Sequence, residues 1–299
     1  MVKNIMDKTQ SALRFKQVTA QEVPNWCGGC GDFNILFALK GALSELDIPF
    51  ENVAMVSGIG CGSKTPHFLK TYGFEGLHGR ILPVASGIKL ANKDLTVIAI
   101  GGDGDGYGIG AGHLFHTLRR NFDMTYIVQN NAVYGLTKGQ TSPTSEKGFK
   151  SNSTPSGALE DATNPMVLGI TTGATYVARG YAYDIDHLKK LIIASIEHKG
   201  FSLLDVFQPC TTYNKIQTVA WYKQHLKKLE EDTSFDSKNK EEALKRAMKW
   251  GETIWYGKFF QERRPTYEEG LPQIAKSSLI KQMKENQHID ISALMNKFK

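Results

Sequence analysis

Across 299 residues the chain has only four cysteines, no long apolar run, and no strong excess of either charge. No stretch approaches the ~18 consecutive apolar residues that a membrane-crossing helix needs, so no membrane span is expected. Residues Met1–Gln17 carry scattered charge and no apolar h-region, which argues against a secretory signal and for a cytoplasmic chain. The net charge is only +6. Part of its basic excess falls in Lys223–Lys249, where acidic residues interleave, as on a solvated helix face. No RNP-like, zinc-finger or basic-aromatic pattern is present, so nucleic acid is not an expected partner. There is also no internal repeat and no low-complexity linker. The apolar fraction of 41% and charged fraction of 22% suit an ordinary soluble enzyme large enough for one α/β domain.

Against that background one pattern stands out. The run Thr96-Val97-Ile98-Ala99-Ile100 ends in Gly101-Gly102-Asp103-Gly104, and a second apolar stretch, Met124–Val128, ends in Gln129-Asn130-Asn131. Each reads as a buried parallel strand that stops at a polar turn. In open α/β sheets ligands lie at the carboxyl ends of strands, so Asp103 and the paired asparagines are delivered to a binding crevice. A carboxylate and an amide oxygen are hard ligands of the kind that hold Mg²⁺ on a diphosphate. The glycines let backbone N–H groups approach the phosphates.

The rest of the chain alternates in the same way. Helical spacing covers 32–46, a short strand 53–56, a helix about 109–120, and further helices 164–173 and 187–198, with strands at 175–177 and 203–207. This predicts an α/β fold: a doubly wound, mainly parallel sheet flanked by helices. We read residues 1–214 as the binding domain and 215–299 as a charged C-terminal extension that packs on the core or on a partner. Within it, 250–267 looks like a stretch of exposed aromatics.

The cysteines all sit in turn-like contexts: Cys27-Gly-Gly-Cys30, Gly58-Ile59-Gly60-Cys61-Gly62-Ser63, and Pro209-Cys210. In a cytoplasmic chain such a set points to metal or redox chemistry more than to disulfides. A structural Cys₄ zinc site and a [4Fe–4S] cluster both want four thiolates, and the spacing leaves both open. The helix beginning after Cys30 would place its positive dipole end beside such a centre.

Gly-Asp-Gly followed, after a helix and a strand, by Asn-Asn resembles the thiamine diphosphate-binding signature. Adding the Cys61 loop, Leu77-His78-Gly79-Arg80, Asn131-Ala132-Val133-Tyr134-Gly135-Leu136-Thr137-Lys138-Gly139-Gln140 and Arg263-Arg264-Pro265-Thr266-Tyr267-Glu268-Glu269, the chain resembles the β subunit of 2-oxoacid:ferredoxin oxidoreductases over roughly residues 20–215 and part of the tail. The resemblance implies a thiamine diphosphate-binding fold. It implies Mg²⁺ on Asp103, Asn131 and the Val133 carbonyl, and thiamine diphosphate against Gly104-Asp105, Ile59, Gly60, Cys61, Gly62, His78, Gly135 and Leu136. It selects iron–sulfur over zinc, with one [4Fe–4S] cluster on Cys27, Cys30, Cys61 and Cys210. The implied reaction is coenzyme A-dependent oxidative decarboxylation of a 2-oxoacid to acyl-CoA and CO₂, with electrons leaving through the cluster to ferredoxin. Lys64 is a candidate contact for a substrate carboxylate or phosphate, and Leu136 a candidate for tuning which 2-oxoacid fits. No glutamate here is a candidate for the aminopyrimidine, so an α subunit is expected to supply that carboxylate, and the chain alone is expected to be inactive. Two other classes compete: a non-redox thiamine diphosphate decarboxylase or carboligase with a structural Cys₄ site, and a non-catalytic iron–sulfur protein. The first leaves the cysteine placement idle and the second ignores Asp103 and Asn131.

Overall fold

The computed structural model describes residues 13–285 and 291–298, so most of the N-terminal stretch read for a signal lies outside the described residues. Eight strands form one sheet: β1 Val53–Ser57, β2 Tyr72–Glu75, β3 Thr96–Gly102, β4 Met124–Asn130, β5 Tyr176–Tyr181, β6 Phe201–Phe207, β7 Leu226–Lys228 and β8 Ile254–Gln261. Their order is β2-β1-β3-β4-β6-β5-β8-β7. All neighbours are parallel except β5 and β8. Every residue of β4, β5 and β6 is buried, as expected where helices cover both faces of a parallel sheet.

Two apolar layers result. On one face, Ile81–Ala91, Ala111–Arg120, Pro165–Thr172 and Lys240–Ala247 pack Leu82, Leu118, Met166 and Ala243 against Val97, Tyr126 and Leu203. On the other, Gly31–Glu45 and Ile185–Glu197 pack Ile35, Leu39 and Ile192 against Met55, Ile98 and Leu204. The doubly wound arrangement is the expected one, and the expected helices and core strands form within a few residues of their anticipated ends. No helix among the described residues is long and apolar enough to cross a membrane.

Two elements differ from the sequence reading. Strand β2, not anticipated from the sequence, is exposed at all four residues, as suits an edge strand. Residues 250–267 are not an exposed aromatic stretch: β8 enters the sheet beside β5 and buries Ile254, Tyr256, Phe259 and Phe260. Its period-2 signal is broken by a bulge, because Phe260 pairs with Val177 and Lys258 with Ala178, leaving Phe259 as the extra residue. The following segment is fastened to the core by Asn121, whose side-chain amide donates to the carbonyls of Arg264 and Pro265. The Glu268 carboxylate accepts from the Asp123 N–H.

Because Phe259 is fully buried in the main core, Phe259→Ala should destabilise the chain by about 3–5 kcal/mol. Urea unfolding with an unchanged slope is the measurement. A loss under about 0.5 kcal/mol, typical of a surface site, would show that β8 is not an integral part of the fold.

Candidate functional site

Strand β1 has β2 on one side and β3 on the other, so connections leave this point in opposite directions and open a crevice at the carboxyl ends. Three turns meet there: Gly58–Cys61 after β1, Gly102-Asp103-Gly104 after β3, and Asn130–Val133 after β4. They line a cavity of about 230 Å³.

The turn after β4 is built by its own asparagines. Ala132 takes a left-handed φ of 54°. The Asn130 Oδ1 accepts from the Ala132 N–H at 3.3 Å, and the Asn131 Oδ1 from the Val133 N–H at 3.1 Å. These side chain-to-backbone bonds are the ordinary means by which asparagine holds a tight turn. Asn130 also donates to Asp205 on β6 at 3.0 Å, so the turn is tied to the next strand.

Asp103 is 2% exposed. Its Oδ2 accepts from Ser142 at 2.5 Å and lies 2.6 Å from Thr144 Oγ1, which is also 2.8 Å from Asn130 Oδ1. Burial pushes the Asp103 carboxyl up to about 6, opposed by the two hydroxyls. Asp103, Asn131 and Val133, the residues expected to hold a cation, line one cavity. Asp105, also buried, accepts from the Gly79 N–H, and His78 Nδ1 lies 2.8 Å from its Oδ1. Burial raises the Asp105 carboxyl, while the Gly79 N–H and His78 lower it. Ile59, Gly60, Gly62, His78, Gly104, Gly135 and Leu136 line the same cavity.

All four cysteines line a second cavity of about 220 Å³, and the two cavities share Cys61, Asn131, Gly135 and Leu136. Gly135 is the thin part of the wall: a Cβ there would lie 3.5 Å from Cys61 Sγ and 3.9 Å from Cys210 Sγ. The sulfurs receive N–H donors, from Gln208 Nε2 to Cys30 at 3.0 Å and from the Tyr213 N–H to Cys210 at 3.4 Å. Burial and the nearby Asp32 raise the Cys61 thiol to about 11 and push Cys30 up as well. Thiolates would therefore need a cationic centre to form here. Among the described residues no group of three or more His, Cys, Asp or Glu side chains is placed to hold a single metal ion. Lys64, expected to contact a substrate carboxylate or phosphate, lines the cysteine cavity, with its Nζ 3.2 Å from Asn25 Oδ1.

The sequence reading passed over Gln129 and Tyr134, which also line the cofactor cavity, and Asp205 and Arg179, which stand behind it. For Gln129, Arg179 and Asp205 the only sequence signal is a polar residue in an apolar strand; Tyr134 lies beyond β4, inside the 131–140 motif. A larger cavity, about 290 Å³, lies behind Asn130 and Thr144 against Arg179 and Trp250, and receives no cysteine and no glycine turn.

Comparison with known proteins agrees with this geometry. Residues 56–206 match the family described as thiamine pyrophosphate enzyme, C-terminal TPP binding domain. Residues 210–276 match the family described as the C-terminal part of the pyruvate ferredoxin oxidoreductase beta subunit. Fold and site thus define a thiamine diphosphate-binding enzyme component. The 2-oxoacid:ferredoxin oxidoreductase subunit beta of Sulfolobus sp. is 50% identical over 257 residues, covering 82% of this chain and 84% of its own length. The beta subunit of the 2-oxoacid:ferredoxin oxidoreductase 1 of Aeropyrum pernix is 49% identical over 259 residues, covering 83% and 81%. A solved 2-oxoglutarate:ferredoxin oxidoreductase from Magnetococcus marinus, with 2-oxoglutarate, coenzyme A and succinyl-CoA bound, matches with a TM-score of 0.86 and 36% identity over 96% of each chain. The chain belongs to the 2-oxoacid:ferredoxin oxidoreductase β-subunit family.

Asp103 must lose its proton before it can ligate a cation, so cofactor affinity measured with Mg²⁺ should fall about tenfold per pH unit below the carboxyl's value near 6. Thr144→Val keeps the shape but removes a hydrogen bond that favours the carboxylate. It should weaken affinity about tenfold and shift the break in the pH profile upward. Fluorescence titration with thiamine diphosphate across pH measures both, and an unmoved break would remove Thr144 from this role.

Proposed function

We propose that this chain is the cofactor-bearing β subunit of a heteromeric enzyme that converts a 2-oxoacid and coenzyme A to acyl-CoA and CO₂, passing the electrons through a [4Fe–4S] cluster to ferredoxin. The observation that carries this reading is the shared wall: the cysteine cavity and the cofactor cavity meet at Cys61, Gly135 and Leu136. A carrier-free transfer of electrons needs that adjacency, whereas a structural zinc site does not.

In this reading Asp103, Asn131 and the Val133 carbonyl hold Mg²⁺, and Cys27, Cys30, Cys61 and Cys210 hold the cluster. The Ile59–Gly62 loop, His78, Gly104-Asp105 and Gly135-Leu136 hold thiamine diphosphate. When bound, that cofactor supplies the nucleophilic carbon and electron sink for decarboxylation. The chain's own groups orient and shield it. Asp105 keeps the His78–Gly79 turn against the cavity, and the buried Asp103 shell excludes water from the diphosphate end. Lys64, from its place beside the cysteines, offsets the charge of the thiolates; its field already lowers Asp32 and Cys61. Leu136, 47% exposed on the shared wall, limits the size of the 2-oxoacid side chain.

Among the described residues only Asp103 and Asp105 bring carboxylates to this cavity, and both are engaged. Ile59, Leu77, Ile109 and Leu136 are exposed on and beside its walls. An α subunit laid over this apolar rim would close the cavity and supply the carboxylate for the aminopyrimidine.

Iron, acid-labile sulfide and zinc on the anaerobically purified chain, with EPR after dithionite reduction, test the reading. About four irons and four sulfides per chain are expected, with 2-oxoacid turnover only when the α subunit is added. About one zinc and no iron would overturn the redox assignment in favour of a non-redox thiamine diphosphate enzyme. In the assembled enzyme, Leu136→Asn should change the relative rates on small and large 2-oxoacids by about tenfold, the scale of one or two methylene contacts. Unchanged ratios would discard its specificity role.

A further inference from the structure

Gln129 is 1% exposed at the end of β4 and lines the cofactor cavity. Register sets it opposite Gly102, immediately before Asp103. Two residues on, Asn131 lines the same cavity, while Asn130 between them turns away to Asp205. Successive side chains of a strand point to opposite faces, so Gln129 and Asn131 share a face. Yet their states differ. The Asn130 and Asn131 oxygens are hydrogen-bonded, whereas neither Oε1 nor Nε2 of Gln129 has a partner. The carboxamide is pressed against the Cys61 loop: a Cβ at Gly62 would lie 1.3 Å from Oε1, so only glycine leaves it room. A buried amide without a partner is costly and rare in folded proteins. One that faces a cavity between two other cofactor-side residues is a group waiting for a ligand.

We propose that Gln129 is a further cofactor-binding residue whose Nε2 donates to a diphosphate oxygen of thiamine diphosphate. The inference rests on the reading above, in which Asp103 and Asn131 hold the cation and diphosphate at this edge. The diphosphate is preferred to the rings because Gln129 lies across the register from Gly102, next to Asp103, and two residues before Asn131. An amide donor also suits an anionic oxygen. No bond is made or broken by this group; it positions the cofactor.

Gln129→Leu tests the proposal in the full chain. The substitution removes two unpaired polar atoms at nearly constant volume, so the unliganded variant should unfold at the same temperature as the parent or higher. With Mg²⁺ present, its affinities for thiamine diphosphate and for inorganic pyrophosphate should both fall about tenfold, and the cofactor-induced rise in melting temperature should shrink accordingly. Unchanged affinity with a less stable unliganded protein would show that the carboxamide serves internal water, and would overturn the proposal. Weakened thiamine diphosphate with unchanged pyrophosphate would place the contact on the rings and overturn the diphosphate assignment. Failure of the parent chain, assembled with its α subunit, to bind either probe would overturn the underlying reading, which separates that outcome from a failure of Gln129 alone.

Discussion

The buried carboxylate of Asp205, near the end of β6, is the contact on which the binding edge depends. Its Oδ1 receives Tyr107 at 2.9 Å and Asn130 at 3.0 Å, and its Oδ2 faces Arg179 Nε at 3.7 Å. Arg179 is itself 1% exposed, with its guanidinium 4.8 Å from the Phe207 ring and 5.5 Å from Phe259. Removing one partner from a charge pair this deep would be costly; Tyr107 and Asn130 satisfy Oδ1, while Oδ2 and the Arg179 Nε have only each other, with no hydrogen bond of their own. Asn130 carries the order onward through Thr144 to Asp103. Thus a single ion pair on neighbouring strands sets the positions of two turns that lie apart in the chain.

The same network explains the electrostatic character of the site. Asp205 adds to the burial that raises Asp103, so the edge holds a carboxyl whose charged form is disfavoured and would be favoured by a cation. Beside it, the cysteine cavity follows a parallel logic. Its Cys30 and Cys61 thiols are raised by burial and by Asp32, which is itself raised to about 7 by burial. Both cavities are therefore short of positive charge and lined with groups that gain from it. Gly135, whose missing side chain leaves Cys61 and Cys210 close to the wall, keeps the two regions within a backbone's thickness of each other.

Much of this was legible locally. Gly102-Asp103-Gly104, Asn130-Asn131 and the cysteine turns announce their chemistry through turn residues, and the α/β alternation follows from hydrophobic period. Strand β8 was not legible, because the bulge at Phe259 breaks the alternation and Gly257 bends the strand with a φ of 127°. Gln129 was hidden for another reason. A glutamine in an apolar strand has many harmless explanations, and only its lack of any partner in the folded chain sets it apart.

What the sequence determined by itself was the class of each turn and the sign of its chemistry, since both depend on residues adjacent in the chain. The tertiary structure decided which turns meet. Strand order puts β6 beside β4, which brings Asp205 under Asn130 and carries Cys210 to Cys27, Cys30 and Cys61 across more than half the chain. It also places Lys64 beside the cysteines. Such neighbours are set by sheet order and by which face a side chain takes, and neither is written in local spacing.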